Sequence, residues 1–236
     1  MRMSDLTVAG QEGGAWVRAR SLHWMAVAAW LSILLGVAVE GAVLLTRAAL
    51  GMRANGVQAA AEFASSVTWS LIVCTGISLG SAAARHRTRM MGLMGLLCAP
   101  LAWALAKGIQ HGTLSMLDAP PEKLGVAVVQ IGLIKTLEYT LLAVAVGALL
   151  KRPRATWFQY CLVGLGIGVV FGPTIVGVNL WHAPGHTLPS ARLLGLSVNE
   201  IVFPIGCVTV LHFINRLNSL ATQIEATQAP GISPAR

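Results

Sequence analysis

The chain has 236 residues, 55% of them apolar and only 11% charged, with a formal net charge of +8. Several of its stretches approach the roughly 20 consecutive apolar residues that span a bilayer as a helix, which excludes a chain that lives in water. The basic residues gather at the ends of those stretches, as topology signals do, so the positive balance does not mark a nucleic-acid-binding stripe.

In chain order, residues 1–21 form a polar tail. Apolar spans follow at Leu22–Thr46, Ser65–Ala84, Met90–Ile109, Leu124–Leu150, Phe158–Trp181 and Leu193–Asn215, and residues 217–236 form a second polar tail. The fold class expected is all-α: a polytopic membrane protein with six transmembrane helices over 22–216. Both tails are rich in small polar residues and are expected to be irregular. The polar lead before the first span, with no small-residue cleavage site after a short apolar region, argues against a cleavable signal peptide. Glu40 in span one and Glu138 in span four each precede a basic end, and Pro100 and Pro204 occupy spans three and six. Those correspondences invite a 3+3 inverted repeat, a transporter design.

Positive charge sets the orientation. Arg2, Arg18, Arg20, Arg85, Arg87, Arg89, Lys151, Arg152, Arg154, Arg216 and Arg236 fall on one side, and Arg47, Arg53, Lys107, Lys123 and Arg192 on the other. The excess on the first side places both termini in the cytoplasm, and the Ala, Gly, Leu and Arg bias suggests a bacterial inner membrane. Trp24, Trp157 and Trp181 fall at span edges, where indole rings favour the headgroup level.

Four ionisable residues lie inside the spans: Glu40, Lys135, Glu138 and Glu200. An ionisable group in hydrocarbon costs about 3 kcal/mol on insertion scales, so it faces a protein interior or a wet cavity and marks a candidate site. The topology puts all four between the outer half and the middle of the bilayer. Lys135 and Glu138 are neighbours on one helix face; they either neutralise each other as a packing peg or belong to a ligand site. Gln130 is expected near that face. Asn199 adjoins Glu200, and Pro204 frees the Glu200 carbonyl from its helical partner, which suggests a loosened backbone beside a carboxylate. Glu62, Lys107, His111, Asp118, Glu122, His182 and His186 are expected on or near the outer surface.

Other patterns carry less. His182 and His186 sit four apart, the spacing of a zinc pair on a helix, but Pro184 and Gly185 stand between them and no third ligand is near, so a surface loop and no metal are expected. No spacing suggests a haem site, and no catalytic residue or cofactor is expected. Cys74, Cys98, Cys161 and Cys207 lack a paired spacing and read as small packing residues. Gly164, Gly168 and Gly172 form a small-residue ridge for close helix packing, within the chain or with a second copy. The hydroxyls of span two, Ser66, Thr68, Ser70, Thr75, Ser78 and Ser81, either line a polar path or bond their own backbone.

From Ile134 to Trp181 the chain reads Lys-Thr-Leu-Glu-Tyr, an apolar run, a basic loop, then Gly-Leu-Gly-Ile-Gly-Val-Val-Phe-Gly. This stretch, about a fifth of the chain, resembles the PrsW-type intramembrane proteases, relatives of the CAAX-processing enzymes. The resemblance implies that Glu138 matches the first glutamate of the family's helix. Tyr139 stands for the second glutamate and Leu142 for the lysine. No glutamate follows Phe171, and Asn199 and Glu200 stand where a histidine is expected. The resemblance therefore implies shared architecture without the hydrolytic chemistry, which needs several ligands and a base.

The expected function is a six-helix membrane protein whose outward-facing polar pocket, built from Glu40, Lys135, Glu138, Asn199 and Glu200, binds or translocates a small polar or ionic ligand. It would act as a transporter or as the substrate-capture subunit of a larger one. The alternatives are an accessory subunit whose charges dock a neighbour's helices, and an intramembrane hydrolase of degenerate motif. The expected partners are membrane lipids, the ligand, and a membrane complex or second copy, with no nucleic acid.

Overall fold

A computed structural model describes residues 3–52, 55–81, 86–120, 125–152 and 154–228; for residues 3–23, 218 and 221–228 it describes the backbone alone. Arg2, Arg53, Arg85, Glu122, Lys123 and Arg236 lie outside the described residues. Six α-helices follow one another: α1 (Met3–Ala49), α2 (Gly56–Ser81), α3 (Arg87–Met116), α4 (Val126–Leu149), α5 (Trp157–His182) and α6 (Ser190–Gln228). All six contain a stretch long and apolar enough to cross a membrane, and the protein is a multi-pass membrane protein.

Burial is inverted relative to a water-soluble bundle. Leu93, Leu97, Leu101 and Leu105 on α3 and Val169 and Val170 on α5 are exposed, while Glu40, Lys135, Glu138 and Glu200 are 5%, 4%, 0% and 3% exposed. Leucine costs nothing against lipid, whereas an ionised group there costs several kcal/mol, so the chain turns its charges inward. Trp157 and Trp181 are exposed at the two ends of α5, as expected of interfacial anchors.

Each helix packs on the next, and α1 packs on α6, which closes the order into a ring. Short connections make neighbours antiparallel. The α1–α2, α3–α4 and α5–α6 connections therefore share one end of the bundle, called here the three-loop end. The core is a layer of interlocked aromatics across the ring: Trp69 lies edge-on to Tyr139 at 5.2 Å, to Trp103 at 6.2 Å and to Phe203 at 6.3 Å.

Small residues set the close contacts. On α5, Gly164 and Gly168 meet the backbone of α6 at Pro204–Ile205 and Glu200–Ile201, where an added Cβ would come within 2.7 Å. The glycine ridge is thus filled by the chain's own α6, and an oligomer formed through it would require α6 to leave. Most of the α2 hydroxyls close onto their own helix, as Thr68 does on Ala64 and Ser78 on Thr75, each at 2.8 Å. Ser66 and Ser70 instead donate to the α1 carbonyls of Gly36 and Ser32. These hydroxyls serve packing; of the six, Ser66 alone also lines the cavity described below. Cys74 and Cys207, distant in sequence, meet in the core with their Sγ atoms 3.3 Å apart.

Several sequence expectations change. The polar ends are helical: α1 extends back to Met3 and α6 on to Gln228, because adding residues to an existing helix costs far less than starting one. Helix α2 begins at Gly56, before the expected Ser65, and α3 runs past Ile109 to Met116. In both, polar residues continue the helix on a face turned into the bundle, and a hydropathy reading cuts such helices short. Helix α6 continues through Pro204, which has no N–H to give to the Glu200 carbonyl one turn earlier. The inverted repeat is not shown: Pro100 is exposed and Pro204 buried, so the two prolines do not play equivalent parts.

Candidate functional site

Four of the charged residues share one depth. Glu40 lies nine residues before the end of α1 and Lys107 nine before the end of α3, while Lys135 lies nine after the start of α4 and Glu200 ten after the start of α6. At 1.5 Å of rise per residue, all four sit roughly 14–15 Å below the three-loop end. Each lines a single cavity of about 1000 Å³ that opens at that end, where Asn55, Pro120, Gly125 and Thr187 from the three connections border it.

Lys135 forms the floor. Its Nζ ion-pairs with Glu200 Oε2 across the ring and lies 3.1 Å from Glu138 Oε2 on its own helix. It also stands over two aromatic faces, 5.5 Å from the Tyr139 ring centre and 5.9 Å from that of Trp69, a cation–π arrangement. Asn199 Nδ2 donates to the second oxygen of Glu200 at 3.4 Å. Glu138 is fully buried beneath the lysine and does not line the cavity. Its contact to Lys135 has ion-pair distance but not hydrogen-bond alignment, so neither of its carboxylate oxygens has a hydrogen bond among the described residues.

The wall carries a second cluster. Arg47 Nη1 pairs with Glu62 Oε2 at 2.9 Å, and Arg47 Nε donates to the Ala191 carbonyl at 3.1 Å. Gln58 Nε2 donates to the other oxygen of Glu62 at 3.1 Å. Gly195 on α6 leaves the room that the Arg47 side chain occupies. Glu40 lies on α1 two turns below Arg47. It lines the cavity, and its Oε1 has no hydrogen bond among the described residues. On α3, Lys107 Nζ donates to Gln110 Oε1 at 2.8 Å and stands 5.2 Å from the Trp103 ring centre. Trp103 is pinned in turn by its Nε1, which donates to the Val128 carbonyl at 2.8 Å.

Of the sequence candidates, the structure brings Glu40, Lys135, Asn199 and Glu200 onto one cavity and sets Glu138 behind it. Glu62 and Lys107, expected near the outer surface, are wall residues because the helices carrying them extend further than hydropathy suggests. Gln130 does not approach Lys135: it is exposed, and its Oε1 lies 2.8 Å from His182 Nε2. His186 stacks against Trp181 at 5.5 Å and sits in a separate turn, Pro184–His186. Among the described residues no group of three or more His, Cys, Asp or Glu side chains could hold a metal ion. The sequence reading missed Trp69, Trp103, Gln58 and Gln110. A Gln-x-x-x-Glu spacing on one helical face was the available signal for Gln58 and Glu62.

No family model, curated protein or solved structure matches the chain.

Proposed function

We propose that this is a membrane protein of the bacterial inner membrane, with both termini in the cytoplasm, whose cavity binds a small polar or ionic ligand from the outer side as a transporter or capture subunit. The observation that carries the reading is the floor of the cavity, a lysine shared by two buried glutamates on different helices. A helix peg needs a single neutralising pair, and it has no need of a cavity of about 1000 Å³ above it. Ligand sites of this size are usually concave and largely apolar, with a few fixed polar groups. Here Trp69 and Trp103 supply the apolar surface, and Lys135, Glu200 and Asn199 the polar groups. The placement of the mouth outside rests on the basic residues, which are concentrated at the opposite end of the bundle.

The test is native mass spectrometry of the protein extracted gently from its own membrane. A bound small mass is expected in the wild type and is lost in Glu200→Gln. A reproducible protein partner without any small ligand would overturn the reading and favour an accessory subunit whose buried charges serve assembly.

A further inference from the structure

Two charged clusters stand at the cavity: Glu40 and Glu62 with Arg47 on its wall, and Glu200 with Lys135 on its floor, with Glu138 buried behind the lysine. The wall as a whole carries Glu40, Glu62 and Glu200 against Arg47, Lys107, Lys135 and Arg192, so a preference for a cation comes from Glu40 itself and not from the net charge of the lining. Lys107 and Arg192, also on the wall, have interactions of their own.

Among the three wall carboxylates, the protein's donors are unevenly shared. Glu62 receives Arg47 and Gln58, and Glu200 receives Lys135 and Asn199. Glu40 is 5% exposed, and its Oε1 receives no donor among the described residues. The nearby Arg47 gives its hydrogen bonds to Glu62 and to the Ala191 carbonyl. A buried carboxylate oxygen without a donor is costly, the more so when charged, and such a group on a cavity wall calls for a donor from the occupant. A planar amidinium or guanidinium offers parallel N–H groups matched to a carboxylate, and an ammonium offers three.

We infer that Glu40 is the recognition carboxylate of the cavity and that the ligand is an organic cation bearing an ammonium, amidinium or guanidinium group. The inference rests on the ligand-binding reading above and narrows it to one chemical class. The cation enters from the three-loop end and meets Glu40 at the depth of the Lys135–Glu200 pair, with Trp69 and Trp103 beside it.

Benzamidinium, benzamide and benzoate share one shape and differ in charge, which makes them suitable probes by isothermal titration calorimetry on the full-length protein in lipid nanodiscs. Benzamidinium is expected to bind at least tenfold more tightly than either analogue. Glu40→Gln, which keeps the side-chain shape, should remove that preference, and Glu40→Asp, which keeps the charge, should retain part of it. Equal binding of benzamide or benzoate, or an unchanged preference in Glu40→Gln, overturns the cation assignment and leaves the cavity as a binding site. If none of the three binds while native mass spectrometry still shows a small ligand, the cation class alone falls. If neither method shows a ligand, the binding reading falls with it.

Discussion

Lys135 is the residue on which the interior depends. It holds two carboxylates that belong to α4 and α6 and covers the faces of Trp69 and Tyr139. Removing one partner of a buried ion pair costs about 3–5 kcal/mol because the other charge is left uncompensated. Lys135→Met keeps the length of the side chain and removes the charge, leaving Glu138 and Glu200 to repel each other. It is expected to destabilise the protein by about that amount. The combination Lys135→Met, Glu138→Gln and Glu200→Gln removes all three charges and should recover most of the loss. Thermal unfolding in detergent checks both. A single lysine variant as stable as the wild type would show that the cluster contributes no packing energy. The sequence identified Lys135 and its neighbour on the same helix, because an i, i+3 pair is visible in one strand of text. It did not reveal Glu200 as the closer partner. That pairing depends on how α4 and α6 are rotated, and helices that are apolar nearly all round do not encode their rotation in hydropathy.

At the scale of elements, α5 and α6 show how small residues place a charge. Gly168 lies against the Glu200 carbonyl, and an added Cβ would fall 2.7 Å from that oxygen. Gly172 faces the Cβ of Glu200 itself. The ridge therefore fixes the distance of α6 from α5 at the turn that carries the site glutamate. Gly166 lies on the same helix with nothing within 4 Å of the position its Cβ would take. Gly168→Val is expected to push α6 outward and to cost about 1–3 kcal/mol, as overpacking does. Gly166→Val has the same effect on helix propensity and should leave the unfolding midpoint near that of the wild type. Equal shifts in the two variants would refute the close α5–α6 contact. The sequence displayed the ridge plainly but left its partner open, since spacing alone does not distinguish a neighbouring helix from a second copy. Helix ends were legible only where polarity changed sharply. At the start of α2 and the end of α3, Glu62 and Lys107 turn toward the cavity, so polarity there no longer signals water.

On the scale of the whole molecule, the ring of six helices gives one end to the cavity mouth and the other to the basic α4–α5 connection. The basic excess lies at the second end, and the electrostatic preference for retaining Lys and Arg in the cytoplasm turns that asymmetry into an orientation. In the orientation proposed above the cavity opens to the outside, and Glu40 is the carboxylate proposed to meet a cation there. Two exposed positions test this. Asp118 lies in the α3–α4 connection and His86 in the α2–α3 connection at the opposite end. In a background without the four native cysteines, Asp118→Cys should react with a membrane-impermeant maleimide in intact cells, and His86→Cys only after permeabilisation. The reverse pattern would invert the protein, turn the cavity to the cytoplasm and make its ligand a cytoplasmic cation, with the internal geometry of the site unchanged. The proposed orientation and the proposed recognition are thus separable: one rests on charges in the connections, and the other on Glu40 inside the ring.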